Sequence, residues 1–364
     1  MTKKTGGRNG KIELWRFLFS VIIVIHHSRY LVGDKNCMFL GGSLAVEFFF
    51  LISGYLMMAS IARKKEAPGE LGRETLGYLG RKFKSLMPEM LVAYVIAVIF
   101  VAVAKDYNLK KVVKLCLDTF FEITQLKMSG LHAVSLNGVT WYISTMLLCM
   151  AVLYPLIRRF PDMMVRIVAP LTALLLLGYL SGNYDSPRTP LKWIGLTFKG
   201  NIRGMAEICL GIVCYSLCEK FKSLSLSKLG KWLVTAAEWL CYAVAVVYMF
   251  ACKASQYDYI VIVILMAGVI LSFSHQGMDA DFFDKRFFVL LGKCSMPLFL
   301  CHTFYASNLN RLLPENWGDN RRMAVYLLCA VVTAAFVSLV SNGIRKVTPR
   351  FVAATKRALL EKEN

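Results

Sequence analysis

The sequence predicts an all-α polytopic membrane protein of about ten transmembrane helices with both termini cytoplasmic, and three observations predict it. The 364 residues are 57% hydrophobic, with a mean hydropathy of +0.53, which is too apolar for an ordinary soluble domain. Apolar runs long enough to cross a hydrocarbon core of roughly 30 Å lie near 12–31, 43–60, 87–105, 139–158, 164–182, 203–218, 232–251, 257–275, 286–306 and 323–344. The connections between them alternate in charge: 26 Lys and Arg fall on one side and 15 on the other, with Arg16 and Lys293 inside spans. The positive-inside rule then puts the N- and C-termini in the cytoplasm of a multi-pass protein of the cell membrane. The same distribution accounts for the net charge of +20 as orientation charge, which excludes nucleic acid as the partner.

Taken in order, the first run, KIELWRFLFSVIIVIHHSRY, has the basic flank of a signal peptide. It is too long for one, carries Arg16, His26 and His27, and lacks a small-residue cleavage site, so a retained first span is expected. The second, SLAVEFFFLISGYL, contains Glu47 and a Ser53-Gly54 pair suited to close helix approach. A strongly basic 61–88 loop leads to the third. The 106–138 segment includes KKVVKLCLDTFFEITQL, the pattern of a short amphipathic helix lying on the membrane or capping a site. The 183–202 segment, with Pro187, Pro190 and Gly200, reads as irregular, a plain connector or a substrate-binding loop. Eleven cysteines without a C-x-x-C pair lie mostly in apolar runs, which argues against zinc, other metals or a disulfide framework. Residues 1–345 form one integral-membrane domain, and 346–364 a short basic cytoplasmic tail.

Ionisable residues at membrane depth are costly and mark function. Arg16 and His27 are eleven apart, about three helical turns, so they share one face and are separated by about 16 Å along the axis. His26 points roughly 80° away. A cation near one surface and an imidazole toward the other suit a long ligand with an anionic head and a reactive tail, the shape of a coenzyme A thioester. With the charge-derived topology, His27, Glu47 and His302 all fall in the outer half of the membrane, and an imidazole near a carboxylate is the arrangement of a controlled general base. On the cytoplasmic side Arg16 is joined by Arg81, Lys82 and Lys84 of GRKFKSLMPEM, cations at a height to hold a nucleotide's phosphates. Trp141, Tyr142 and Ser144 open the fourth span at its outer surface, where an interfacial aromatic belt and sugar stacking both explain the aromatic pair. His132 and His275 lie in loops and are assigned no chemistry.

These stretches together resemble the acyltransferase 3 family of integral-membrane O-acyltransferases, which includes bacterial O-acetyltransferases of surface polysaccharides. Arg16 and His27 match its Arg-x10-His. SLAVEFFFLISGYL is similar to its acid-aromatic-Ser-Gly segment, with Glu47 where Asp is usual, and GRKFKSLMP to its basic segment, with Lys84 in place of Arg. Trp141-Tyr142 and LGKCSMPLFLCHTF match a middle span and a late Gly-Lys-x-Ser to His segment. The resemblance implies acetyl or other short acyl transfer from cytoplasmic acetyl-CoA to a hydroxyl of an extracytoplasmic or lipid-linked glycan at the bacterial cell membrane. It implies that Arg16, Arg81 and Lys84 bind the donor phosphates and that His27 is the base or acyl carrier. On the same resemblance Glu47 is expected to orient His27, His302 to assist with the acceptor or protons, and Trp141, Tyr142 and Ser144 to serve the substrate. Two other readings compete: a proton-coupled transporter or flippase of a lipid-linked sugar, using the same residues as a relay, and a non-enzymatic scaffold.

Overall fold

The computed structural model describes residues 8–64, 66–131 and 134–363, with side chains up to Val347; His132 lies outside the described residues. Ten helices occupy the ten expected spans: α1 (Gly10–His27), α2 (Ala45–Ala62), α3 (Leu71–Ala104), α4 (Thr140–Arg159), α5 (Ala169–Asn183), α6 (Lys199–Lys222), α7 (Lys228–Ala251), α8 (Asp258–Ser274), α9 (Arg286–Cys301) and α10 (Asp319–Glu363). Eight of the spans are long and apolar enough to cross a membrane on length and composition alone. The other two are α1, which carries Lys11, Glu13 and Arg16, and α8, which has 17 residues. The chain is therefore an all-α polytopic membrane protein.

Burial sorts the helices. The Gly42–Ala62 span is 83% buried and apolar on every face, so it is the central post. The span ending in α5 is 22% buried and turns Leu171, Leu174 and Leu175 outward, as a lipid-facing helix does. The most extensive packing joins α2 to α6 and α1 to α9. Glycine makes the first possible: a Cβ on Gly54 would lie 2.1 Å from Ile208 O, and one on Gly211 would lie 2.2 Å from Leu51 O. The backbones touch, as close packing of small residues in membrane bundles allows. Gly211→Leu is expected to reach the upper end of the roughly 1–3 kcal/mol that overpacking costs. Loss of the monodisperse peak in detergent and a lowered melting temperature would report it, whereas an unchanged melting temperature would refute the crossing.

Two connections differ from expectation. The basic 61–88 stretch is helical from Leu71, so the 34-residue α3 is longer than a bilayer core requires and carries Arg81, Lys82 and Lys84 on its N-terminal half. The 183–202 segment contains a two-residue hairpin, Trp193–Ile194 against Thr197–Phe198, turned at Gly195 with φ +60°. The 106–138 segment does hold a short amphipathic helix, Leu109–Asp118, with Leu109, Val113 and Leu117 exposed along one stripe. Of the tail, the backbone continues α10 as helix to Glu363.

Candidate functional site

Histidine geometry builds the site. Asn9 caps α1 by accepting from the Ile12 N–H, and α1 runs unbroken to His27. On α9, Pro297 lacks an N–H and cannot close the helical bond to the fourth residue before it, and the helix breaks at His302. The break places the His302 ring 4.9 Å, centroid to centroid, from that of His27, with Nε2 of His302 3.2 Å from Nδ1 of His27. Nδ1 of His27 also faces Ile23 O at 2.8 Å, and Nδ1 of His302 faces Leu298 O at 3.1 Å. A carbonyl oxygen only accepts, so both Nδ1 atoms carry the proton. His27 Nδ1–H is then shared between Ile23 O and the His302 Nε2 lone pair. What remains is His27 Nε2, unprotonated and able to take a proton.

A polar clamp holds His302. Asn137 donates from Nδ2 to Leu300 O (2.6 Å) and accepts from Thr303 Oγ1 (2.5 Å), gripping the broken helix on both sides of the imidazole. Glu122 fixes Asn137 in turn by accepting from the Leu136 and Asn137 N–H groups, each at 2.7 Å, and from Thr140 Oγ1 at 3.0 Å. Burial raises the pKa of Glu122, and the nearby Lys127 and these hydrogen bonds oppose that rise. Burial likewise lowers that of Lys127, against the pull of Glu122. Lys127 reaches Ser135 Oγ at 2.6 Å and so closes the hub.

One cavity opens on His27 and a second on Arg16. The larger, of about 1060 Å³, is lined by His26, His27, Trp141, Arg203, Phe299 and Thr303 among others. The smaller, of about 170 Å³, lies at the Arg16 end, lined by Arg16, Ser53, Lys82, Ser85, Tyr142, Ser295 and Phe299. Phe299 belongs to both and is their shared wall. Arg16 is 3.0 Å from Glu13, and its buried Nε has no hydrogen-bond partner. A buried donor without a partner is unfavourable until an acceptor arrives, which suits an anion site.

Several expected residues stand elsewhere. Glu47 does not orient His27; it pairs with Arg203 of α6. Arg203 Nε is 2.9 Å from Glu47 Oε2 and 3.2 Å from Glu207 Oε1, and Nη2 ion-pairs with Glu47 Oε1. Helix register is the reason. Glu47 stands seven residues before Gly54 and Arg203 eight before Gly211, so two turns beyond the glycine contact the parallel helices present them at one height. Ser144 is not a free hydroxyl: it donates to Gln125 O (2.7 Å) and accepts from Met128 N–H (3.0 Å), pinning the 120–130 cap to α4. Trp141 and Tyr142, about 100° apart on α4, part company. Trp141 lines the large cavity with the Arg203 guanidinium 5.5 Å from its ring, and Tyr142 lines the small one with its hydroxyl 3.0 Å from Ser53 Oγ. Lys82 rather than Arg81 or Lys84 joins Arg16 in the small cavity. Arg81 lies in a separate surface cleft of about 740 Å³, and Lys84 is exposed outside both cavities.

His26 is held by Phe39 O at 2.8 Å, and Gly42 packs on it so closely that a Cβ there would sit 2.6 Å from the His26 Cβ. His275 at the end of α8 is 3.2 Å from Asn9 Nδ2, and burial lowers its pKa. Arg203, Glu207, Asn137 and Glu122 were not foreseen. The Arg-x-x-x-Glu spacing at the head of the sixth span was the available signal for the first two.

Comparison with curated proteins and with solved structures returns no match. A family model described as an acyltransferase domain matches residues 9–341, nearly the whole chain, and the protein belongs to that acyltransferase family.

Proposed function

We propose that the protein transfers an acetyl or other short acyl group from a cytoplasmic acyl-CoA to a hydroxyl of an extracytoplasmic or lipid-linked glycan at the cell membrane. The observation that carries this reading is His27 itself. It lines a cavity large enough for a sugar and keeps Nε2 outside the hydrogen bonds that fix its ring, and on the same face of α1 the underbonded Arg16 opens on a second cavity. About 16 Å of helix separates the two residues, a span for an extended pantetheine arm. Arg16 and Lys82 hold donor phosphates at the cytoplasmic end. His27 Nε2 takes the proton of the acceptor hydroxyl as its oxygen bonds to the thioester carbonyl carbon, and the proton passes to the thiolate as the C–S bond breaks. His302 holds the His27 ring in the tautomer this requires.

Acetyl-CoA labelled in the acetyl group, added to inverted membrane vesicles, tests the reading. Label entering glycan or free acetate in a His27-dependent way supports it. If neither process depends on the folded protein in the presence of its host's glycans, the transport reading replaces it. Kinetics in the same vesicles separate the cations. Lys82→Ala is expected to raise the KM for acyl-CoA by about tenfold or more, the equivalent of one charge-assisted hydrogen bond at about 1.5–3 kcal/mol, while Lys84→Ala changes it less than about twofold. The opposite order would return the phosphates to Lys84.

A further inference from the structure

We propose that the acceptor is anionic: the large cavity selects a hydroxyl-bearing glycan that carries a carboxylate or phosphate. This deepens the proposed acyl transfer and rests on it. Seven Lys and Arg side chains line the cavity against one carboxylate, that of Asp34. Three of the seven are neutralised within the fold: Arg29 pairs with Asp34 and Arg188 with Asp258, each at 2.8 Å, and Arg203 sits between Glu47 and Glu207. The other four, Lys105, Lys192, Lys253 and Arg311, have no carboxylate at ion-pair distance among the described residues. They come from four separate connections: the end of α3, the hairpin loop, the end of α7 and the turn after α9.

Topology offers no reason for this gathering. The positive-inside rule thins Lys and Arg from the outer side of a membrane protein, yet seven of the fifteen assigned there meet in one concavity. Unpaired cations held together repel one another. Their persistence around low-dielectric walls makes a field that concentrates an anion where His27 stands. A negatively charged sugar supplies the missing counter-charge, and so does the phosphate of a lipid-linked glycan; both are acceptors of the same chemical kind.

Binding to the purified full chain in nanodiscs tests this with three probes. They are a hexasaccharide of alternating glucuronic acid and N-acetylglucosamine, its carboxyl-reduced neutral counterpart, and a polyprenyl-pyrophosphate-linked N-acetylglucosamine. At low salt at least one anionic probe is expected to bind about tenfold or more tighter than the neutral one, with the preference shrinking as salt rises. Which anionic probe it is distinguishes a sugar carboxylate from a lipid phosphate. Lys253→Glu with Arg311→Glu brings the ratio of anionic to neutral affinity close to one, and the milder Lys253→Gln, Arg311→Gln pair lowers it where the reversal fails to fold. Equal affinity for all three probes, no binding of any, or a ratio that the substitutions leave alone overturns the proposal. Equal affinities together with His27-dependent release of label from acetyl-CoA overturn it while acyl transfer stands. Anion preference with no acyl-CoA turnover overturns the transfer reading and leaves an anion site.

Discussion

His27→Ala lowers acyl transfer by at least about a thousandfold, within the 10²–10⁴ that a positioned general base contributes. The reason is geometric. Each imidazole in the dyad commits Nδ1–H to a carbonyl of its own helix, Ile23 O for His27 and Leu298 O for His302, so neither ring is free to exchange tautomers. Within the dyad, the one nitrogen left basic is Nε2 of His27, which lines the large cavity. Removing it leaves no substitute within the dyad, because His302 Nε2 already accepts from His27 and is fully buried. Single-turnover transfer on a quantified folded sample measures the loss, and retention of more than about a tenth of the wild-type rate would be incompatible with proton removal by His27. His302→Ala acts at one remove. It frees the His27 ring to rotate and is expected to slow transfer by about 10- to 100-fold, the range seen for groups that orient a ligand or base. Asn137, which holds both sides of the broken helix, acts one step further out.

The sequence disclosed most of this dyad and little of what surrounds it. Apolar runs repeat at spanning length, and a single-helix spacing such as Arg16 to His27 is fixed by the helix alone, so both are legible without tertiary structure. The start of α3 at Leu71 was hidden by its charges: Arg and Lys favour helix as well as Leu does, and the stretch that reads as a basic loop is the extension of a span. The choice of Lys82 over Arg81 and Lys84 depends on how α3 is rotated about its axis, and packing against α4 and α10 sets that rotation. Glu47 shows the limit most clearly. Its depth and polarity mark it as functional, but its partner stands 156 residues away in sequence and depends on the register of two helices fixed by the Gly54–Gly211 crossing. Arg203 stands at the edge of a span, where sequence alone does not separate it from a loop charge, and its complete burial gives it a different role.

That role makes Arg203→Met the most damaging substitution expected away from the histidines. Glu47 and Glu207 have fully buried side chains, and Glu207 Oε2 has no hydrogen-bond partner, so Arg203 is the cation on which both carboxylates depend. Breaking a buried ion pair by removing one partner costs about 3–5 kcal/mol, a large share of the roughly 5–15 kcal/mol that separates folded from unfolded domains. Arg203→Lys does not rescue it, because one ammonium cannot reproduce the planar fork that spans two carboxylates. Replacing the whole triad by neutral groups of similar size is a different perturbation, since it removes the desolvation burden together with the attraction. The Arg203→Met, Glu47→Gln, Glu207→Gln triple is therefore expected to recover most of the stability that the single variant loses. Tryptophan-fluorescence melting in detergent compares them directly. A triple that melts as low as Arg203→Met would mean that the guanidinium acts through its packing on Trp141 rather than through the two carboxylates, because the substitution to Met removes that stacking in both variants.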